Sequence, residues 1–134
     1  MTNVYEEFGK NAGEIWRTLN TYGPLTELKL KETAKLKEDE FYVAVGWLAR
    51  ENKIYKDGPI YKLGETNLTH KIGHDAGNIW KMLETRGNID VFDVSNALKL
   101  DEREVYAALG WLARENKIEA KMKTIPREYQ PKFR

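Results

Sequence analysis

The chain has 134 residues, with 22 Lys and Arg against 21 Asp and Glu, two His and no Cys. The absence of cysteine excludes a disulfide framework, a thiol nucleophile and a cysteine-ligated metal. A net charge of +1 with the signs intermixed gives no compositional signal for nucleic acid or membrane.

No apolar run approaches the roughly 18 residues of a membrane span, and the N-terminus has no signal-like pattern. The expected setting is therefore the cytoplasm, with no membrane contact, and the Asn67-Leu68-Thr69 sequon carries no meaning there.

The chain contains itself twice. Residues 46–54 read G-W-L-A-R-E-N-K-I, and residues 110–118 read the same, letter for letter. The offset of 64 runs without a gap from Gly9/Gly73 to Ile54/Ile118 and gives 23 identities over 46 aligned pairs, so the chain is a duplicated domain. We divide it into 1–66 and 67–134, the second copy ending in a basic tail. A unit of that size buries only about 60% of the surface its unfolded chain exposes and would be marginal alone. Contact between the copies, or with another chain, would help each of them.

In chain order, residues 1–8 form a lead-in whose Val4 and Phe8 match Leu68 and Ile72. From about 11 to 22, Ala12, Ile15, Trp16 and Leu19 follow the i, i+3, i+4, i+7 pattern of an amphipathic helix. Gly23-Pro24 ends it, as Gly87 does in the second copy. Leu25 and Ile89 give a short apolar strand. Thr26 and Asp90 cap a second helix over 27–35 and 91–99, with Leu28, Leu30 and Ala34, or Phe92, Val94 and Leu98, facing inward.

After a turn at 36–37 and 100–101, a third helix spans 38–52 and 102–116, and Asp101-x-x-Glu104 has capping-box character. Residues 53–56 and 60–63 around Asp57-Gly58-Pro59 predict a β-hairpin. The second copy keeps a first strand near 117–123, and its return strand must come from 125–129, interrupted by Pro126.

Helix, short strand, helix, turn, helix, hairpin is the order of a winged helix-turn-helix. The spacing Phe41, Val45, Leu48, Ile54 from a third helix into a hairpin is similar to the general winged-helix pattern. The G-W-L-A-R-E-N-K-I stretch resembles the signature of a small family of prokaryotic winged-helix domains, in two tandem copies over nearly the whole chain. The resemblance implies a mainly α fold with small β-hairpins (α+β), as two tandem winged helix-turn-helix domains. Its functional implication is the fold's common association with nucleic acid.

In winged-helix DNA binders the third helix enters the major groove and its N-terminal residues meet bases and phosphates. Here those positions read Lys37-Glu38-Asp39-Glu40 and Asp101-Glu102-Arg103-Glu104, three acids and one base each. Such an edge opposes DNA, although acids in a first turn also suit the helix dipole, at about 0.3–1 kcal/mol each.

No residue from 41 to 49 or from 105 to 113 is charged, and a helix apolar all round is expected to be buried all round. Mid-helix glycine costs about 1 kcal/mol against alanine, so Gly46 and Gly110 imply close backbone approach. Two readings stay open. In one, the first helix crosses the third at Gly46 within each domain, with Gly13 or Trp16 filling the gap. In the other, Tyr42, Val43, Gly46 and Trp47, with Tyr106, Gly110 and Trp111, form a protein interface between the copies or between chains.

The first copy is net −1, residues 67–120 are net −2, and the tail 121–134 is net +4. Lys121, Lys123, Arg127, Lys132 and Arg134 there, interleaved with Tyr129 and Phe133, are candidates to hold a phosphate backbone or a single strand. Lys53, Lys56 and Lys62 of the first wing join them. Arg50 and Arg114 can reach a backbone, pair with Glu51 or Glu115, or cover apolar surface with their stems.

Catalytic signals are missing: no phosphate-binding glycine loop, dinucleotide fingerprint or Ser/His/Asp arrangement occurs. His70 and His74 have metal-compatible spacing beside Asp75, but Lys10 replaces His74 in the first copy, and we expect exposed side chains and no metal. No cofactor and no small-molecule substrate are evident. The sequence thus reads as a non-enzymatic, transcription-type binding protein with DNA as candidate partner. The alternative is an interaction or dimerisation module that uses the third-helix faces to meet a protein partner or a second copy.

Overall fold

A computed structural model describes residues 3–120 and 125–132. The first copy consists of α1 (Val4–Tyr22), β1 (Leu25–Thr26), α2 (Glu27–Ala34), α3 (Glu38–Arg50), β2 (Ile54–Asp57) and β3 (Ile60–Leu63). The second repeats the order as α4 (His74–Arg86), β4 (Ile89–Asp90), α5 (Val91–Leu98), α6 (Glu102–Arg114), β5 (Ile118–Glu119) and β6 (Glu128–Pro131), with one π-helical turn (Thr69–Gly73) leading into α4. This is two tandem winged helix-turn-helix units, mainly helical, each with one small antiparallel sheet.

The expected lead-in is helix. Val4, Phe8, Ala12, Ile15 and Leu19 are buried and continue one apolar stripe back to the chain start. Asn3 caps it, its side-chain oxygen accepting from Glu6 N–H at 3.0 Å. The second helices form as expected, with Thr26 accepting from Lys29 N–H at 3.2 Å and Asp90 from Phe92 N–H at 2.8 Å.

Their inward faces differ from expectation. Leu28 and Phe92, at equivalent positions, are 65% and 58% exposed, and Val91 is buried instead of Phe92. Helices of eight residues have room for one buried stripe, and Leu30/Ala34 and Val91/Val94 occupy it.

The repeated signature has a local explanation. Asn52 and Asn116 adopt φ of 61° and 60°, a left-handed conformation that asparagine tolerates better than most residues. Lys53 N–H then returns to the Leu48 carbonyl and Lys117 N–H to the Leu112 carbonyl, closing each helix. Ile54 and Ile118 follow as buried first residues of their strands.

In the first sheet, β3 lies between β1 and β2, with Leu25 opposite Tyr61 and Asp57 opposite Ile60. Gly58 at φ 57°, followed by Pro59, has the sign pattern of a type II′ hairpin. In the second sheet β6 is central, with Ile89 opposite Tyr129 and Ile118 opposite Pro131. The return strand therefore starts at Glu128, three residues later than expected. The register buries Tyr129 against β4 and leaves Pro126 before the strand, where a missing N–H matters least.

The core is continuous across the copies. At Gly46 a Cβ would lie 1.7 Å from the Ala107 carbonyl oxygen, and at Gly110 one would lie 2.0 Å from that of Val43. Helices α3 and α6 thus cross backbone to backbone at reciprocal positions, as in an approximate two-fold arrangement. The alternative crossing at Gly46 by α1 does not occur. Instead α1 meets α3 where Gly9 faces the Trp47 ring, the nearest approach to a built Cβ being 3.0 Å, and Gly13 faces only Arg17.

Replacing Gly46 by alanine should therefore destabilise the protein despite the better helix propensity, by about 3 kcal/mol or more, because backbone cannot yield as a side-chain end can. Gly77→Ala, where nothing lies within 4 Å of the added methyl, should stabilise by roughly 0.5–1 kcal/mol. Urea denaturation of both variants checks the contrast, and a neutral Gly46→Ala would contradict this packing.

Candidate functional site

Every residue of α3 from Phe41 to Ala49 except Tyr42 is buried, and Tyr42 is half-buried. The same holds from Val105 to Ala113 except for Trp111, which is half-buried. Of the seven interface candidates, Val43, Gly46 and Gly110 lie in the crossing itself. Trp47, 6% exposed, packs edge-on to Tyr5 with ring centres 4.9 Å apart and lies under Arg114 of the other copy at 5.6 Å. Trp111 reciprocates with Arg50 at 5.7 Å and faces Gly73.

Tyr42 donates to Glu27 Oε1 at 2.6 Å. Tyr106 receives an N–H from Arg127 at 3.3 Å. Burial and the Glu27 carboxylate push the Tyr42 hydroxyl far above its ordinary pKa, and burial raises that of Tyr106.

Among the described residues, two ion pairs cross the seam. Arg50 Nε donates to Glu115 at 3.1 Å and Arg114 Nε to Glu51 at 2.9 Å. Sequence reasoning considered both arginines and both glutamates but not the exchange of partners between copies. The available signal was the identical Arg-Glu pair closing both third helices. Each arginine also lies over a tryptophan ring, so it binds through charge and ring face together.

The acids at the helix starts are engaged locally. Glu40 accepts from Lys37 N–H and Glu104 from Asp101 N–H, each at 2.8 Å, completing the backbone half of a capping box. Glu104 also meets Lys71 at 2.6 Å, and Glu102 takes two N–H donors from Arg127 at 3.1 and 3.0 Å. Arg103 turns back onto Asp101. These acids serve their own helix ends and neighbours, and none offers a donor to a base edge.

Each of the described basic candidates is engaged by a neighbouring group. On the first wing, Lys53 lies 3.6 Å from Glu51, Lys56 donates to the Gly58 carbonyl at 2.6 Å, and Lys62 lies over the Tyr55 ring at 5.0 Å. On the second, Arg127 is held by Glu102 and Lys132 donates to Asn116 Oδ1 at 2.8 Å. Lys121, Lys123 and Arg134, with Phe133, lie outside the described residues. Tyr129 is 1% exposed and a core residue, so it is no stacking surface for a strand of nucleic acid. His70 and His74 are both exposed, and among the described residues no group of three or more His, Cys, Asp or Glu is placed to hold a metal ion. No helix among them is long and apolar enough to cross a membrane.

The two units define a tandem winged-helix protein whose third helices face each other. The winged helix-turn-helix domain family DUF2582 matches the chain twice, over residues 1–61 and 68–126, and the chain belongs to that family. No curated protein and no solved structure matches it.

Two outcomes test this geometry. Trp47→Ala should lower stability by about 3–5 kcal/mol. The Arg114–Glu51 pair, partly exposed at 38% and 18%, should show a coupling of only about 0.5–1 kcal/mol in a double-mutant cycle.

The acid limb supplies a further check. Lys71, first by its hydrogen bond, lowers the Glu104 pKa below its ordinary value. Stability from this pair is present above the unfolded carboxylate pKa and is lost as pH falls through the depressed folded value. Lys71→Met should reduce the loss of stability measured between about pH 5 and 3, and an unchanged acid limb would contradict the pairing.

Proposed function

We propose that this protein is a non-enzymatic, cytoplasmic binding protein that associates with nucleic acid through its wings, by backbone contacts and without reading base sequence. The burial of α3 and α6 against each other carries this reading. A helix that reads the major groove must present side chains to base edges, and here the only largely exposed residues of each helix are at its ends. The fold supports nucleic-acid association, and Lys53, which is exposed just before the first hairpin, with the half-buried Lys56 and Lys62 on its strands, suits phosphate contact. A role in transcription would then depend on architecture or partners rather than on an operator.

A second reading, protein binding, is favoured by one observation. Leu28 and Phe92 are large, apolar and exposed at equivalent positions of the two copies. The third-helix faces, first candidates for such a role, are occupied within the chain.

Fluorescence anisotropy with two unrelated duplexes of equal length, between 50 and 200 mM salt, separates these readings. Expected are dissociation constants in the order of 10⁻⁴–10⁻⁶ M near physiological salt, equal for both duplexes within a few-fold. Replacing Lys53, Lys56 and Lys62 by Gln should lower the log–log salt slope by roughly 2–3 units. Removing residues 125–134 is not a usable test, because it deletes the central strand β6 and the core residue Tyr129. Hundredfold discrimination between duplexes would show base reading, and no binding at 50 mM salt would leave the protein-binding reading in place.

A further inference from the structure

The duplication has left two equivalent spaces flanking the seam, and the copies have filled them differently. One is closed: Phe8, Val43 and Leu109 are fully buried there, and Tyr129 is 1% exposed. At the positions 64 residues away stand Ile72, Ala107 and Val45. Each is smaller, and together they line an open cleft of about 600 Å³ between the copies. Tyr61, equivalent to Tyr129 in sheet register, forms part of its wall.

The polar residues diverge in the same direction. Glu27, Lys71 and Asp75 line the open cleft, where the closed side has Val91, Glu7 and Asn11. An open cleft thus stands opposite a packed counterpart, and its carboxylates Glu27 and Asp75 have the neutral Val91 and Asn11 at the equivalent positions of the closed side.

We propose that this cleft binds a small organic cation with an apolar body, its ammonium or guanidinium end taken by Glu27 and the faces of Tyr42 and Tyr61, and its body by Val45, Ile72 and Ala107.

The sign follows from the charges already balanced. Lys71 bridges Asp75 at 2.8 Å and Glu104 at 2.6 Å, and Arg103 is engaged by Asp101, so neither cation is left to attract an anion. Glu27 accepts from the Tyr42 hydroxyl at 2.6 Å and has Lys31 at 3.4 Å, which leaves lone pairs of its carboxylate available. Four carboxylates, Glu27, Asp75, Asp101 and Glu104, and three bases, Lys56, Lys71 and Arg103, line the cleft, with Lys31 reaching Glu27 from outside the lining. A cation already uses this wall: the Lys56 ammonium stands 5.7 Å from the Tyr61 ring centre, within the range of a cation–π contact. Burial first, and the Glu27 carboxylate after it, push both tyrosine hydroxyls up in pKa. The cleft shares Lys56 with the first wing, but its binding does not require nucleic-acid binding by the wings.

The test is a titration of the ¹⁵N-labelled full chain with phenethylammonium, 2-phenylethanol and phenylacetate, which share a body and differ in charge. Phenethylammonium should shift the amides of Tyr42, Tyr61, Ile72 and Ala107 saturably, with at least tenfold weaker response to the other two. Ala107→Val, which installs the residue of the closed side, should weaken binding tenfold or more. Glu27→Gln should abolish the preference for the amine, and it serves alone if Ala107→Val does not fold. Equal responses to the three probes, no saturable shift at millimolar amine, or binding unchanged in Glu27→Gln would overturn the proposal.

Discussion

Helices α3 and α6 approach so closely that neither Gly46 nor Gly110 has room for a methyl group, and the rest of the molecule is arranged around that approach. A built Cβ at either glycine falls about 2 Å or less from a carbonyl oxygen of the other helix, so the seam is backbone on backbone. Close contact allows Val43, Ala44, Ala107 and Ala108 to be buried with the short side chains such a crossing requires. Around this centre Trp47 and Trp111 pack outward onto Gly9 and Gly73. The crossed Arg50–Glu115 and Arg114–Glu51 pairs close the C-terminal end. Each copy alone is too small to build a large core. The seam joins two half-cores into one continuous cluster from Val4 to Tyr129.

The same contact limits what α3 and α6 can present to a partner. A winged helix ordinarily keeps its third helix free for the groove, and here that helix is structural over almost all its length. The acids at its start fall into place as caps and partners for Lys71 and Arg127, favoured by the helix dipole. Outside the seam, among the described residues, lie the first wing with its lysines, Lys132 of the second, the exposed Leu28 and Phe92, and the cleft. Fold alone would have assigned base reading to α3, and only the side-chain environment redirects the assignment.

Much of this architecture was legible in the sequence, because the repeat, the 3.6-residue stripes and the Asp57-Gly58-Pro59 turn are local signals. The uncharged runs of α3 and α6 and their central glycines implied burial on every side. They did not say against what, since two crossing partners satisfied the same pattern. Three features were not legible. The start of α1 at Val4 was hidden by polar residues between Val4 and Phe8. Leu28 and Phe92 looked inward by residue type, but a two-turn helix buries one stripe, and its rotation is set by tertiary packing. The crossing of Arg50 to Glu115 depends on how the copies dock, which no local pattern encodes. The cleft is an intermediate case, since the substitutions of Ile72 for Phe8 and Ala107 for Val43 are visible in the repeat but acquire meaning only once those positions face each other.

The central claim is that the α3–α6 seam makes one cooperative unit of the two copies. Native-state amide hydrogen exchange tests it most directly, because it reports the free energy at which each helix opens. If the seam binds the copies together, the slowest amides of residues 43–49 and 107–113 should exchange with the same free energy, equal to that of global unfolding measured with denaturant. Opening of α6 at a free energy several kcal/mol below that of α3, with the first copy still protected, would show two independent domains and contradict the claim.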